Sequence, residues 1–196
     1  VPDFAMGAME NVGAVTFRET LLLIDVEKAT RSELSRSISV IAHELAHMWF
    51  GDLVTMDWWD GIWLNEAFAS LMEVIASEAT YPEFKLWNEM NQDRSRGFGV
   101  DSLKSSRPVE FEVKSPEEAE EMFDVLTYQK GSTVLRMFET FIGEENFKKG
   151  VRSYLNKYEY KNTHSSDLWN ELTNSSSYNL SEILPTWIKQ EGYPIV

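Results

Sequence analysis

The chain has no cysteine, only three histidines and, against 32 acidic residues, no more than 18 basic ones. Each shortage excludes something. Without cysteine there is neither a disulfide framework nor a thiolate metal site. The lack is what a reducing compartment favours, so a cytoplasmic location is the expectation. A net charge of −14 argues against nucleic acid and anionic lipid as partners. Most of the acidic residues read as a solvated surface, and a minority can make a cleft attractive to a cationic group such as a peptide α-amine. No stretch approaches the roughly 18 apolar residues of a membrane helix, and no charged-then-apolar signal segment opens the chain. It opens on Val1-Pro2-Asp3-Phe4 and runs directly into a strand-like segment, which reads as a piece of a larger protein.

What is present is a core-forming composition. In 196 residues there are seven Trp, seven Tyr and eleven Phe, and 43% are hydrophobic, enough for one substantial domain. Residues 12–26 are β-branched and apolar and predict one or two strands. Thr30-Arg31-Ser32-Glu33 is a capping box that predicts a helix to about Phe50, stopped by Gly51, with Ile38, Ile41 and Leu45 on an apolar stripe. Asp60-Gly61 opens a second helix over about Ile62–Glu78, and 83–93 reads as a short third. The polar stretch 95–114 reads as loop with a short strand at Val109–Val113. Ser115-Pro116-Glu117-Glu118 is a second capping box, with proline at the first helical position. Helices are expected near 116–122, 124–142, 144–158, 166–174 and 180–190, the last kinked or interrupted at Pro185. The fold class is therefore mainly α with a small antiparallel β element (α+β). Residues 1–196 read as a single domain: a β edge at 1–30, a helix pair at 31–80 and a helical lobe at 81–196.

Two of the three histidines lie in His43-Glu44-Leu45-Ala46-His47. That spacing puts both imidazoles on one helix face, one turn apart, within reach of a single ion. Zinc takes neutral nitrogen ligands in a tetrahedral site, and catalytic sites leave one position to water. Glu44 is then the general base for that water. The pair sits deep inside a helix with Val40, Ile41, Leu45 and Trp49 around it, where histidines without a partner are costly. Glu66 supplies the third ligand. It lies in the apolar run Ile62–Ala69, where a carboxylate is expensive unless paired or metal-bound. Eighteen residues separate it from His47, enough to turn and return antiparallel. Glu73, seven residues on, lies on the same helix face and is a candidate acceptor for a ligand imidazole N–H, or else a plain surface glutamate. One Zn²⁺ per chain is implied.

Four stretches in order carry a resemblance: Gly7-Ala8-Met9-Glu10-Asn11, His43–Gly51, Trp63–Ala69 and Tyr128-Gln129-Lys130-Gly131. The chain resembles the zinc aminopeptidases of the aminopeptidase N type, in the gluzincin clan, over nearly its whole length. The resemblance implies a thermolysin-like zinc peptidase catalytic domain, truncated at its N-terminal β-lobe. It implies that Gly7, Ala8, Met9, Glu10 and Asn11 bind substrate, with Glu10 on the free α-amine, and that Tyr128 stabilises the oxyanion. Peptides with a free N-terminus are the implied partners, together with further domains of a parent protein that complete the amine site. Two positions depart from the family pattern. Ala67 stands where a glycine is usual, adding a methyl near the site, and Arg107 where a histidine is common. A thermolysin-like endopeptidase, an epoxide hydrolase of one branch of the family and a non-catalytic zinc-site scaffold are the alternative readings.

Overall fold

The computed structural model describes residues 1–195. Its centre is an antiparallel helix pair, α2 (Arg31–His47) and α3 (Trp63–Thr80), the most extensively packed pair of elements. The capping box that opens α2 is formed: the Thr30 side chain accepts from Glu33 N, and the Glu33 carboxylate accepts from Thr30 N at 2.7 Å. Such caps contribute about 1 kcal/mol. The helix ends at His47 rather than near Phe50. The Phe50 backbone leaves the helix to bridge Val54 while its ring stays buried, and Gly51 adopts a positive φ of 143° that other residues avoid.

Helix α3 starts one residue later and ends two later than the sequence predicts. Asp60-Gly61 lies in a 3₁₀ turn (Trp59–Gly61) and caps nothing. Residues 63–69 of α3 are all buried, because neighbours cover the helix on every side. Trp63 stacks on Trp169 at 5.0 Å and Phe68 on Phe50 at 4.4 Å. The core continues through Leu71, Leu135, Phe138, Leu168 and Leu172.

Several expectations are corrected. Residues 12–26 form only one two-residue strand, β2 (Thr16–Phe17), antiparallel to β1 (Ala8–Met9), followed by a helical turn, α1 (Glu19–Leu22). Leu21 alone of that apolar run is buried; its carbonyl receives the Ser37 hydroxyl, and Leu22 and Leu23 are exposed. The segment 95–101, expected as loop, completes α4 (Leu86–Asp101). Gly97 serves there as a packing surface, since a β-carbon on it would lie 3.7 Å from Lys130 N. No strand forms at Val109–Val113. Both valines are buried, but the segment is pinned by Glu110, whose N–H reaches Ile188 O and whose carboxylate accepts from Trp63 Nε1 and Lys189 Nζ. In α5 (Pro116–Glu121) the box at Ser115 is half formed, because the Glu118 carboxylate takes Lys114 N instead of Ser115 N.

The expected helix 124–142 is two pieces, a π-helical turn Leu126–Lys130 and α6 (Gly131–Ile142). Then follow α7 (Glu144–Tyr158), α8 (Ser165–Ser175) and α9 (Leu180–Ile188), which runs unbroken through Pro185 because Leu180, Leu184 and Ile188 are fully buried on one side. A second sheet was not foreseen. Strand β3 (Val54–Met56) pairs in parallel with β4 (Lys161–Thr163), so the β content is not purely antiparallel. Strands of three residues are too short to show an alternation. The stripe Ile38, Ile41, Leu45 faces a groove of about 600 Å³, and Leu45 and Trp49, expected among buried neighbours, are each about half exposed there.

Candidate metal centre

Opposite that groove, the other face of α2 meets α3 and forms the floor of a cleft of about 720 Å³. The i, i+4 spacing stacks His43 above His47 with Nε2 atoms 3.1 Å apart, and Glu66 of α3 places Oε2 at 3.2 Å and 3.3 Å from them. The outer ring nitrogens are committed elsewhere. His43 Nδ1 lies 2.8 Å from Glu73 Oε2 and His47 Nδ1 lies 2.9 Å from the Phe50 carbonyl. Neither partner has a proton to give, so each Nδ1 donates and each Nε2 is left facing Glu66.

Three ligand atoms therefore converge with mutual distances of 3.1, 3.2 and 3.3 Å. Tetrahedral ligands about 2.0–2.1 Å from zinc stand about 3.3 Å from one another. The donor set fits the ion in type, number and spacing, and His43, His47 and Glu66 are the one such cluster among the described residues.

Electrostatics point the same way. Burial pulls the His43 imidazole down, but hydrogen bonds to Glu66 and Glu73 outweigh it and raise the group to about 10. His47 moves up for a similar reason, burial being overcome by Glu66. Burial would raise Glu66, yet the two imidazoles hold it down at about 2. The pocket favours cationic imidazoles facing an ionised Glu66, and protons and a divalent cation compete for the two ring nitrogens. Glu44 is different. Its carboxyl is pushed up to about 7 by burial, against the pull of the two imidazoles, and its Oε2 is buried without any hydrogen-bond partner.

The cleft also collects the more distant candidates. Gly7, Ala8, Met9 and Glu10 line one side, and Glu10 Oε1 stands 3.9 Å from His47 Nδ1. Asn11 is not brought in; its side chain turns back to Thr16. Tyr128 lies across the cleft with its ring 6.0 Å from that of His43. Burial and the carboxylates Glu66, Glu10 and Glu44 push its phenol well above 10, so it stays protonated. Glu73, ambiguous as a sequence feature, is the His43 partner.

Two groups escaped the sequence reading. Residues Met90 and Arg96 of α4 line the cleft, and the glycines after position 96 conceal in the sequence that one helix carries both. Asp52 buries a carboxylate oxygen without a partner, and burial with nearby Glu10 raises it. Its only sequence signal was its place one residue after Gly51.

The description Peptidase family M1 domain matches residues 1–187. Relatives matching all of this chain include Probable aminopeptidase 2 of Sulfurisphaera tokodaii, 49% identical, and Leucyl aminopeptidase of Saccharolobus solfataricus, 46% identical; the chain covers 25% of each. Aminopeptidase M1 of Arabidopsis thaliana is 43% identical, with 22% of that protein covered. The chain thus spans about a quarter of the length of the curated relatives it matches.

Proposed function

The chain belongs to peptidase family M1, and from that premise we propose that it is the thermolysin-like catalytic part of a zinc aminopeptidase that hydrolyses the first peptide bond of peptides. One observation carries the reading: the convergence of His43 Nε2, His47 Nε2 and Glu66 Oε2 at zinc-ligand spacing beside an unpartnered Glu44 oxygen.

These three residues would hold one zinc ion, which supplies Lewis-acid polarisation of a peptide carbonyl and a water acidified toward pH 7. Glu73 and the Phe50 carbonyl fix the imidazoles by accepting hydrogen bonds from their outer N–H groups. Glu44 accepts the proton of the attacking water and passes it to the leaving amine. Tyr128, kept protonated by burial and neighbouring carboxylates, donates a hydrogen bond to the oxyanion. Glu10 receives the substrate's α-ammonium, which brings the first peptide bond, and no later one, to the centre. A thermolysin-like endopeptidase would use the same ligands and base without needing Glu10. The approach of Glu10 to 3.9 Å from a ligand imidazole favours the aminopeptidase.

The test uses the protein as its gene encodes it. Glu44→Gln retains about one zinc per chain while turnover falls on the order of 10²–10⁴-fold, and N-acetylation of a peptide stops its hydrolysis. Parental turnover by Glu44→Gln would refute the base, and equal rates on free and acetylated peptides would refute the exopeptidase.

A further inference from the structure

Tyr128 is carried by an irregular turn of helix. Leu126–Lys130 is a π-helical turn, a form that is rare and needs its surroundings to hold it. Here it is held at both ends by charged groups. At the first end, Asp124 Oδ1 accepts from Leu126 N at 2.9 Å and Thr127 N at 3.1 Å, and the same oxygen accepts from Arg107 Nη2 at 2.7 Å. Arg107 Nη2 also donates to Thr127 Oγ1 at 3.0 Å and Met122 O at 3.3 Å, and its Nη1 to Pro108 O and Val109 O. At the other end, Lys130 Nζ pairs with Asp101 Oδ2 at 2.8 Å and donates to the carbonyls of Gln190 and Gly192. Tyr128 lies between these anchors, its N–H bonded to Asp124 O at 3.1 Å.

We infer that Arg107 and Asp124 are positioning residues: they fix the π-turn so that the Tyr128 hydroxyl stays aimed into the cleft. Neither lines the cleft, so they act only through the tyrosine. Five acceptors from separate stretches of chain meet one guanidinium, an arrangement that its planar fork satisfies and a lysine cannot. Thr127, adjacent to Tyr128, is wholly buried, so a shift of the turn there moves backbone and phenol together. The inference rests on Tyr128 as the oxyanion donor.

The experiment is a double-mutant cycle in the native-length zinc enzyme, with hydrogen exchange alongside. Arg107→Ala and Asp124→Asn are each combined with Tyr128→Phe. A displacement of about an ångström costs on the order of a hundredfold. The expected result is therefore a loss of that size in kcat for each single variant, with KM within about threefold, and zinc content unchanged. Deuterium uptake should rise over residues 124–130 and not over 43–66. In the Tyr128→Phe background the same substitutions should cost little more, and Arg107→Lys should restore part of the loss. Asp124→Asn keeps an oxygen for the two amides, so it carries the test if Arg107→Ala does not fold. Equal losses with and without the tyrosine hydroxyl would overturn the inference alone. A Tyr128→Phe enzyme with parental kcat would overturn the oxyanion reading and the inference with it.

Discussion

A methyl group placed on Gly131 would test how closely α6 is fitted to α3, the helix that carries Glu66. Its β-carbon would lie 2.7 Å from the Ala67 β-carbon and 3.9 Å from the Ala67 α-carbon. Carbon atoms prefer about 3.5–4.0 Å, so the overlap approaches 1 Å, and neither β-carbon can rotate away. Gly131 has helical dihedrals, φ −56° and ψ −53°, so alanine meets no backbone strain to blur the result. An overlap that neither carbon can rotate out of falls in the upper half of the overpacking range, about 2–3 kcal/mol, and the better helix propensity of alanine returns about 1 kcal/mol. Gly131→Ala should therefore destabilise the chain by about 1–2 kcal/mol. Ala67→Gly alone should lose about 1 kcal/mol of propensity and about 0.8 kcal/mol for the buried methyl. In the double variant the propensities exchange and one methyl still fills the gap, so stability returns to within about 0.5 kcal/mol of the parent. The coupling is then about 3–4 kcal/mol. Urea unfolding followed by tryptophan fluorescence measures it. The reasoning fails if Gly131→Ala is as stable as the parent, or if Ala67→Gly does not relieve it.

Two further outcomes follow from the centre and its supports. Glu73→Ala removes the acceptor of the His43 Nδ1 proton and should weaken zinc binding about 10–100-fold in chelator competition, with Glu73→Gln nearer the parent; unchanged affinity would remove Glu73 from the site. Burial raises the Asp101 carboxyl, but Lys130, Ser106 and the Gly192 amide outweigh it and hold it below the ordinary 3.8. A depressed acid contributes stability that is present above its unfolded value of about 3.9 and lost as pH falls through the lower folded value. Asp101→Asn should accordingly flatten the fall in urea midpoint below about pH 4, and an unchanged acid limb would refute the assignment.

The candidate centre was legible because its signals are local. An i, i+4 histidine pair inside a capped helix and a carboxylate inside an apolar run each state their geometry within one turn. Glu73 was legible in position but not in role, since a helix face says nothing of what stands opposite. The errors share another cause. Gly97 and Gly99 read as loop, yet Gly97 is there because the backbone of Lys130 and the side chain of Gln129 pack against it. Thr127 and Lys130 read as positions in an ordinary helix, while the π-turn they belong to is imposed by Arg107 and Asp124 from outside it. Strands β3 and β4 find each other across about a hundred residues, a pairing that no local pattern encodes.

The imidazoles of His43 and His47 are held by different kinds of partner, and this gives them different evolutionary freedom. His47 donates its outer N–H to the Phe50 carbonyl, an acceptor present whatever residue occupies position 50. His43 donates to the side chain of Glu73, which one base change can shorten or neutralise. One imidazole is thus anchored beyond the reach of point mutation in its partner, and the other is an adjustable screw. Drift in metal affinity within such a lineage should run through position 73 and leave position 50 free to follow packing alone.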